Sequence, residues 1–95
     1  MADILYTDHL KLKLKIRKIP YEYPKIILEA PEQKFYDAVE ENHIAIKKLK
    51  YNNKERTMMI AYEKKGSDVE IMTIHPIDEE KIINRTMSRR WKKNE

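Results

Sequence analysis

The stretch VEIMTIHP, Val69 to Pro76, decides how this chain reads. It is the most strand-like segment of the sequence. As a strand it places Val69, Ile71, Thr73 and His75 on one face and Met72 and Ile74 on the other. Apolar residues on both faces predict a strand covered on both sides along part of its length. Its far end delivers a hydroxyl and an imidazole onto one face before Pro76 stops it. A core strand that ends in chemically capable side chains is a candidate site.

Working upstream, KKGSD (Lys64 to Asp68) holds the only glycine and predicts a hairpin loop. TMMIAYE (Thr57 to Glu63) is another strand. NNKE (Asn52 to Glu55) has turn chemistry, and HIAIKKLKY (His43 to Tyr51) reads as a strand before it. Lys34 to Asp37 reads as a short first strand, joined through the acidic link AVEEN. Consecutive strands with short links predict an antiparallel meander. Downstream, Asp78 is a suitable N-cap for a closing helix, with Glu79 and Glu80 in its first turn and Arg89 and Arg90 near its end, as the helix dipole prefers. Ile83, Met87 and Trp91 repeat every four residues and are expected to pack on the sheet.

The N-terminal third is less decided. HLKLKLKIRKI (His9 to Ile19) alternates strictly, which favours a strand with Leu10, Leu12, Leu14 and Ile16 inward. A helix also fits: Leu10 and Leu14 are four apart, as are Leu12 and Ile16, and Thr7 or Asp8 could cap it. Ile19-Pro20 ends the element. A short helix is expected over Glu22 to Glu29, with Pro24 near its first turn and Pro31 just past its end.

Ninety-five residues predict one domain, 1–95. With no cysteine there is no disulfide framework and no thiolate metal site. Asp3, Asp8 and the lack of a long apolar run argue against a secretory signal, and no segment is apolar enough to span a bilayer, so a cytoplasmic protein without membrane association is expected. The formal net charge is +4. Its basic residues cluster early (Lys11 to Lys18), centrally (Lys47 to Lys50) and late (Arg85 to Lys93). Such clusters attract phosphate backbones, although a solvated lysine-rich surface gives the same pattern.

The order of motifs resembles a known family. His9 and Arg17 precede Ile19-Pro20, a short helix ends at Pro31, the strands HIAIKKLK, MMIAYEKKG and VEIMTIHP follow, and NRTMSRRW (Asn84 to Trp91) closes the chain. Over nearly its whole length the chain is similar to the small toxin-like proteins related to RelE and BrnT. That resemblance implies an α+β fold: two N-terminal helices packed on an antiparallel sheet of about four strands, with a C-terminal helix. It therefore implies that His9 to Ile16 is helical, against the alternation. It also implies metal-independent cleavage of RNA, most naturally mRNA, at the sheet, with no cofactor, and an antitoxin protein that neutralises it.

Cleavage of that kind needs a base for the 2′-OH proton, an acid for the leaving 5′-oxygen and cations for the transition-state charge. Histidine suits the proton transfers and arginine the phosphate. His75 is the first candidate for proton transfer; a histidine that merely bonds a nearby carbonyl is the plain alternative. His9, matching a family position, is the second. Arg17 and Arg85 are the candidate phosphate partners, Arg17 competing with a simple pair to Glu22 or Glu29. Thr73 and Tyr62 are candidate substrate contacts, though both residue types suit strands for packing reasons alone. Arg89 and Arg90 are candidates for positioning RNA. The three histidines lack a zinc-type spacing. Two rival classes remain open: a non-catalytic nucleic-acid-binding module, and an interaction protein such as a homodimer formed through Trp91 and the methionines.

Overall fold

The computed structural model describes residues 3–93. A short strand β1 (Ile4–Tyr6) leads into α1 (Asp8–Arg17), so the Leu–Lys run is a helix, as the resemblance implies and the alternation does not. Leu10 and Leu14 are buried, whereas Leu12 and Ile16 are 55% and 68% exposed. Half of the alternating apolar set therefore faces solvent, and the four-residue spacing is the one that matters. Thr7 caps the start: its Oγ1 accepts from the Leu10 amide at 3.1 Å. Lys18 closes the end in the left-handed region, φ 54°, and the Ile19 amide reaches back to the Leu14 carbonyl at 2.9 Å.

α2 (Tyr23–Glu29) carries Pro24 in its first turn, where no amide donor is needed. The meander follows as β2 (Gln33–Asp37), β3 (Asn42–Tyr51), β4 (Lys54–Lys65) and β5 (Asp68–Pro76). Asn52 and Asn53, both at positive φ, make the tight turn between β3 and β4. α3 (Glu79–Met87) and β6 (Trp91–Lys93) complete the chain.

The class is α+β, but the sheet is larger than the expected four strands. Among the described residues it has six, ordered β1-β5-β4-β3-β2-β6. β1 runs parallel to β5 and every other pairing is antiparallel, so the sheet is mixed. Both additional strands are three-residue pieces recruited by distant partners, with no periodicity of their own to announce them. β6 also corrects the closing helix. That helix stops at Met87, Arg89 turns the chain at φ 65°, and Trp91 is a buried strand residue. Ile83 and Met87 are 53% and 79% exposed, so the expected Ile83–Met87–Trp91 stripe does not pack on the sheet; Ile82 does. Asp78 holds the N-cap position, but its side chain makes no capping bond.

The two faces of the sheet build separate cores. On one, α1 and α2 supply Leu10, Leu14 and Ile27 against Ala45, Met58, Ile60, Tyr62, Ile71 and Ile74. On the other, Ile77 and Ile82 cover Phe35, Ile44, Ile46, Met59 and Ala61, with Trp91 beside them. β5 departs from simple alternation between them. Ala61 pairs with Thr73 and Tyr62 with Ile71, leaving Met72 as an extra residue. Thr73 and His75, opposite Ala61 and Met59, therefore lie on the α3 face, while Ile71 lies on the α1–α2 face. The expectation that Ile71, Thr73 and His75 share a face fails at this irregularity. Among the described residues no helix is long and apolar enough to cross a membrane.

A candidate active site at the end of β5

On the α3 face a cleft of about 230 Å³ opens where β5 ends. Thr73, His75, Arg85 and Arg90 all line it, above a floor that includes Met59 and Ala61. Residues from β5, α3 and the turn before β6 thus meet in one place, and sequence separation gives no hint of it.

His75 is half-buried. Its Nδ1 lies 3.0 Å from its neighbour's carbonyl, that of Pro76. A carbonyl can only accept, so Nδ1 carries the proton and Nε2 keeps its lone pair. Burial lowers the imidazole's affinity for a proton, the Pro76 contact opposes this, and Lys13, Arg17 and Arg85 lower it further. Arg85 lines the cleft, whereas Arg17 does not; from α1 it is felt at the histidine only through its charge.

These cations are not neutralised. Among the described residues Lys13, Arg17 and Arg85 form no ion pair with a carboxylate, so the alternative of an Arg17 pair to Glu22 or Glu29 is absent. Arg85 instead lies 5.2 Å from the centroid of the Trp91 ring, a contact that orients it without discharging it.

Arg90 is used differently. The carboxylate of Asp37, 2% exposed, accepts from Arg90 Nε at 3.1 Å and from Trp91 Nε1 at 3.0 Å. It also accepts from the Val39 and Glu40 amides. Burial alone would raise the Asp37 carboxyl, but Arg90, the Glu40 amide, Trp91 and the Val39 amide together hold it below its ordinary value of 3.8. A further oxygen, Glu40 Oε1, stands 3.7 Å from Arg90 Nη2. Arg90 is thus a wall of the cleft fixed by carboxylates rather than a free fork for phosphate.

The remaining candidates are not brought in. Tyr62 is 3% exposed, sits in the α1–α2 core on the opposite face and stacks on His43 with ring centroids 5.3 Å apart. Arg89 is exposed on the turn after α3. His9 is exposed in the first turn of α1, one helical turn before Lys13, about 6 Å along the axis.

Sequence reasoning missed Lys13, Asp37 and Asn42. Lys13 was hidden in a Leu–Lys run, although helical spacing does align His9, Lys13 and Arg17. Asp37 looked like the end of a strand before an acidic link, and nothing local announced that Arg90 and Trp91 would return to it. Asn42 lines the cleft from the start of β3. Among the described residues no group of three or more His, Cys, Asp or Glu is placed to hold a metal ion.

Comparison with protein-family models, with curated proteins and with solved structures gives no match for this chain. The likeness to RelE and BrnT therefore rests on motif order, and the functional reading rests on the cleft.

Proposed function

We propose that the protein is a metal-independent endoribonuclease acting at the cleft beside β5, with RNA as substrate and, following the resemblance, an antitoxin-type partner that covers this basic face. One observation carries the reading: a half-buried histidine with a free Nε2 lies among cations that have no carboxylate partner. A site of that composition attracts an anion and offers it a base.

In this reading His75 Nε2 takes the 2′-OH proton and the 2′-oxygen attacks the adjacent phosphorus. The bond to the 5′-oxygen breaks, leaving a 2′,3′-cyclic phosphate and a 5′-hydroxyl protonated from water in the open cleft. Arg85 and Arg17 stabilise the charge on the pentavalent phosphorus. His9 has no role in this assignment, because it is exposed in the first turn of α1 and does not line the cleft.

The test is cleavage of labelled RNA with and without EDTA, beside His75→Ala and Arg85→Ala. Cleavage should persist in EDTA and fall by about a hundredfold or more without the base. A metal requirement, or cleavage by both variants at the wild-type rate, would overturn the assignment. The second reading, a non-catalytic RNA-binding module, is favoured by the presence of a single histidine in the cleft. It predicts binding that weakens steeply with salt and no cleavage at all.

A further inference from the structure

β1 covers the outer edge of β5 only as far as Ile71. From Met72 onward that edge meets the start of α1 instead. The Thr7 amide donates to the Ile71 carbonyl at 3.2 Å, and Thr7 Oγ1 donates to the Met72 carbonyl at 3.3 Å. α1 belongs to the opposite face of the sheet, yet Lys13 reaches around this edge and its Nζ lies 3.1 Å from the Oγ1 of Thr73, a residue that lines the cleft.

The chemistry of that bond is one-directional. An ammonium only donates, so Thr73 Oγ1 accepts, and the threonine's own proton must point elsewhere. Among the described residues that hydroxyl donates to no protein acceptor, and Lys13 has no carboxylate partner. Arg17, one turn on, is a like charge whose proximity is unfavourable on its own. Two donors on one side of His75, held together and uncompensated, fit an anion with several oxygens.

We propose that Lys13 and Thr73 form a phosphate clamp on the α1 side of the cleft, complementing Arg85 from α3. Lys13 supplies charge and turns the Thr73 hydroxyl toward the ligand, and the ligand is a phosphodiester of single-stranded RNA. Naming RNA rests on the proposed function; the clamp itself is a claim about phosphate and is tested without cleavage.

The experiment follows the His75 ring by NMR through a pH titration, with and without inorganic phosphate at low salt, in the wild type, Lys13→Met, Lys13→Arg and Thr73→Val. The charges around the ring are Lys13 and Arg17 from α1, Arg85 from α3, and Arg90, Asp37 and Glu40 elsewhere in the cleft lining. Lys13→Met should raise the titration midpoint of His75 and weaken phosphate binding about tenfold, while Lys13→Arg preserves both to a large extent. Thr73→Val should weaken phosphate binding with little change in the midpoint. An unchanged His75 midpoint and unchanged phosphate affinity in Lys13→Met would overturn the clamp, and a wild-type-like amide spectrum of Lys13→Met itself excludes a trivial loss of structure. RNA cleavage is assayed on the same samples. If phosphate binding depends on Lys13 but the wild type cleaves nothing, the nuclease reading falls and the clamp stands. If RNA is cleaved equally with and without Lys13 and phosphate affinity is likewise unchanged, the clamp falls and the nuclease reading stands.

Discussion

His75 is the residue on which the proposed chemistry turns. Its fold-imposed preference is for the neutral form, because burial and the cations of α1 and α3 all disfavour a second proton. A base of this kind is ready at neutral pH and is lost only in acid. The acidic limb of the pH–kcat/KM profile for RNA cleavage should therefore have its midpoint below the ordinary imidazole value of 6.5. A midpoint above that value would contradict the environment described. The linkage to stability has the same sign: the unfolded chain binds the proton first, so stability is full above about 6.5 and declines as pH falls through the folded value. His43, lowered by burial and by Lys64 and Lys34, contributes in the same window, so only the difference between wild type and His75→Gln isolates the cleft. At this scale the sequence was informative. Thr73 and His75 could be paired from their spacing, and Arg85 from its place in the closing helix. What it hid was which arginine was spent on structure, since the carboxylate that holds Arg90 lies 53 residues away.

Among elements, α1 shows where periodicity misleads. Its alternating leucines support a strand as well as a helix, and the decision comes from which of them find partners in space. Leu14 is 4% exposed and packs in the α1–α2 core, whereas Leu12 is 55% exposed. Leu14→Ala should cost about 2–5 kcal/mol by chemical denaturation, and Leu12→Ala no more than about 0.5 kcal/mol. Equal losses would restore the strand reading. In β5 the hidden feature is one residue. Met72 interrupts the ladder, so faces counted from Val69 go wrong beyond it although the alternation from Thr73 to His75 is sound. Bulges of this type re-aim side chains without any change in composition, and a single sequence carries no mark of them. The meander from β2 to β5 was legible because turn residues and β-branched runs are local signals. β1 and β6 were not, because each is a strand only by virtue of its partner.

For the molecule as a whole, a net charge of +4 matters less than where charge is left uncompensated. If Lys13, Arg17 and Arg85 each engage a phosphate of single-stranded RNA, the logarithm of the binding constant should fall against the logarithm of salt concentration with a slope of roughly −2. Replacing all three with methionine should nearly flatten that slope, and a slope that survives the triple substitution would place binding on the other lysine clusters. The same whole-molecule view explains the shape of the site. The chain crosses one face of the sheet through α1 and α2, returns strand by strand, and crosses the other face through α3. Only the closure of both crossings sets Lys13 and Arg85 around one ring.

That closure has an order in time. Asp37 leaves the ribosome long before Trp91, its partner 54 residues later, so a nascent chain spends an interval with the rim of β2 bare and a carboxylate still hydrated. During synthesis this is the side on which a neighbouring polypeptide could add itself as a stray ribbon. Once Trp91, Lys92 and Lys93 pair along that rim and Trp91 bonds the acid, the outer strand of the sheet carries two lysines, a composition that discourages pairing with another chain.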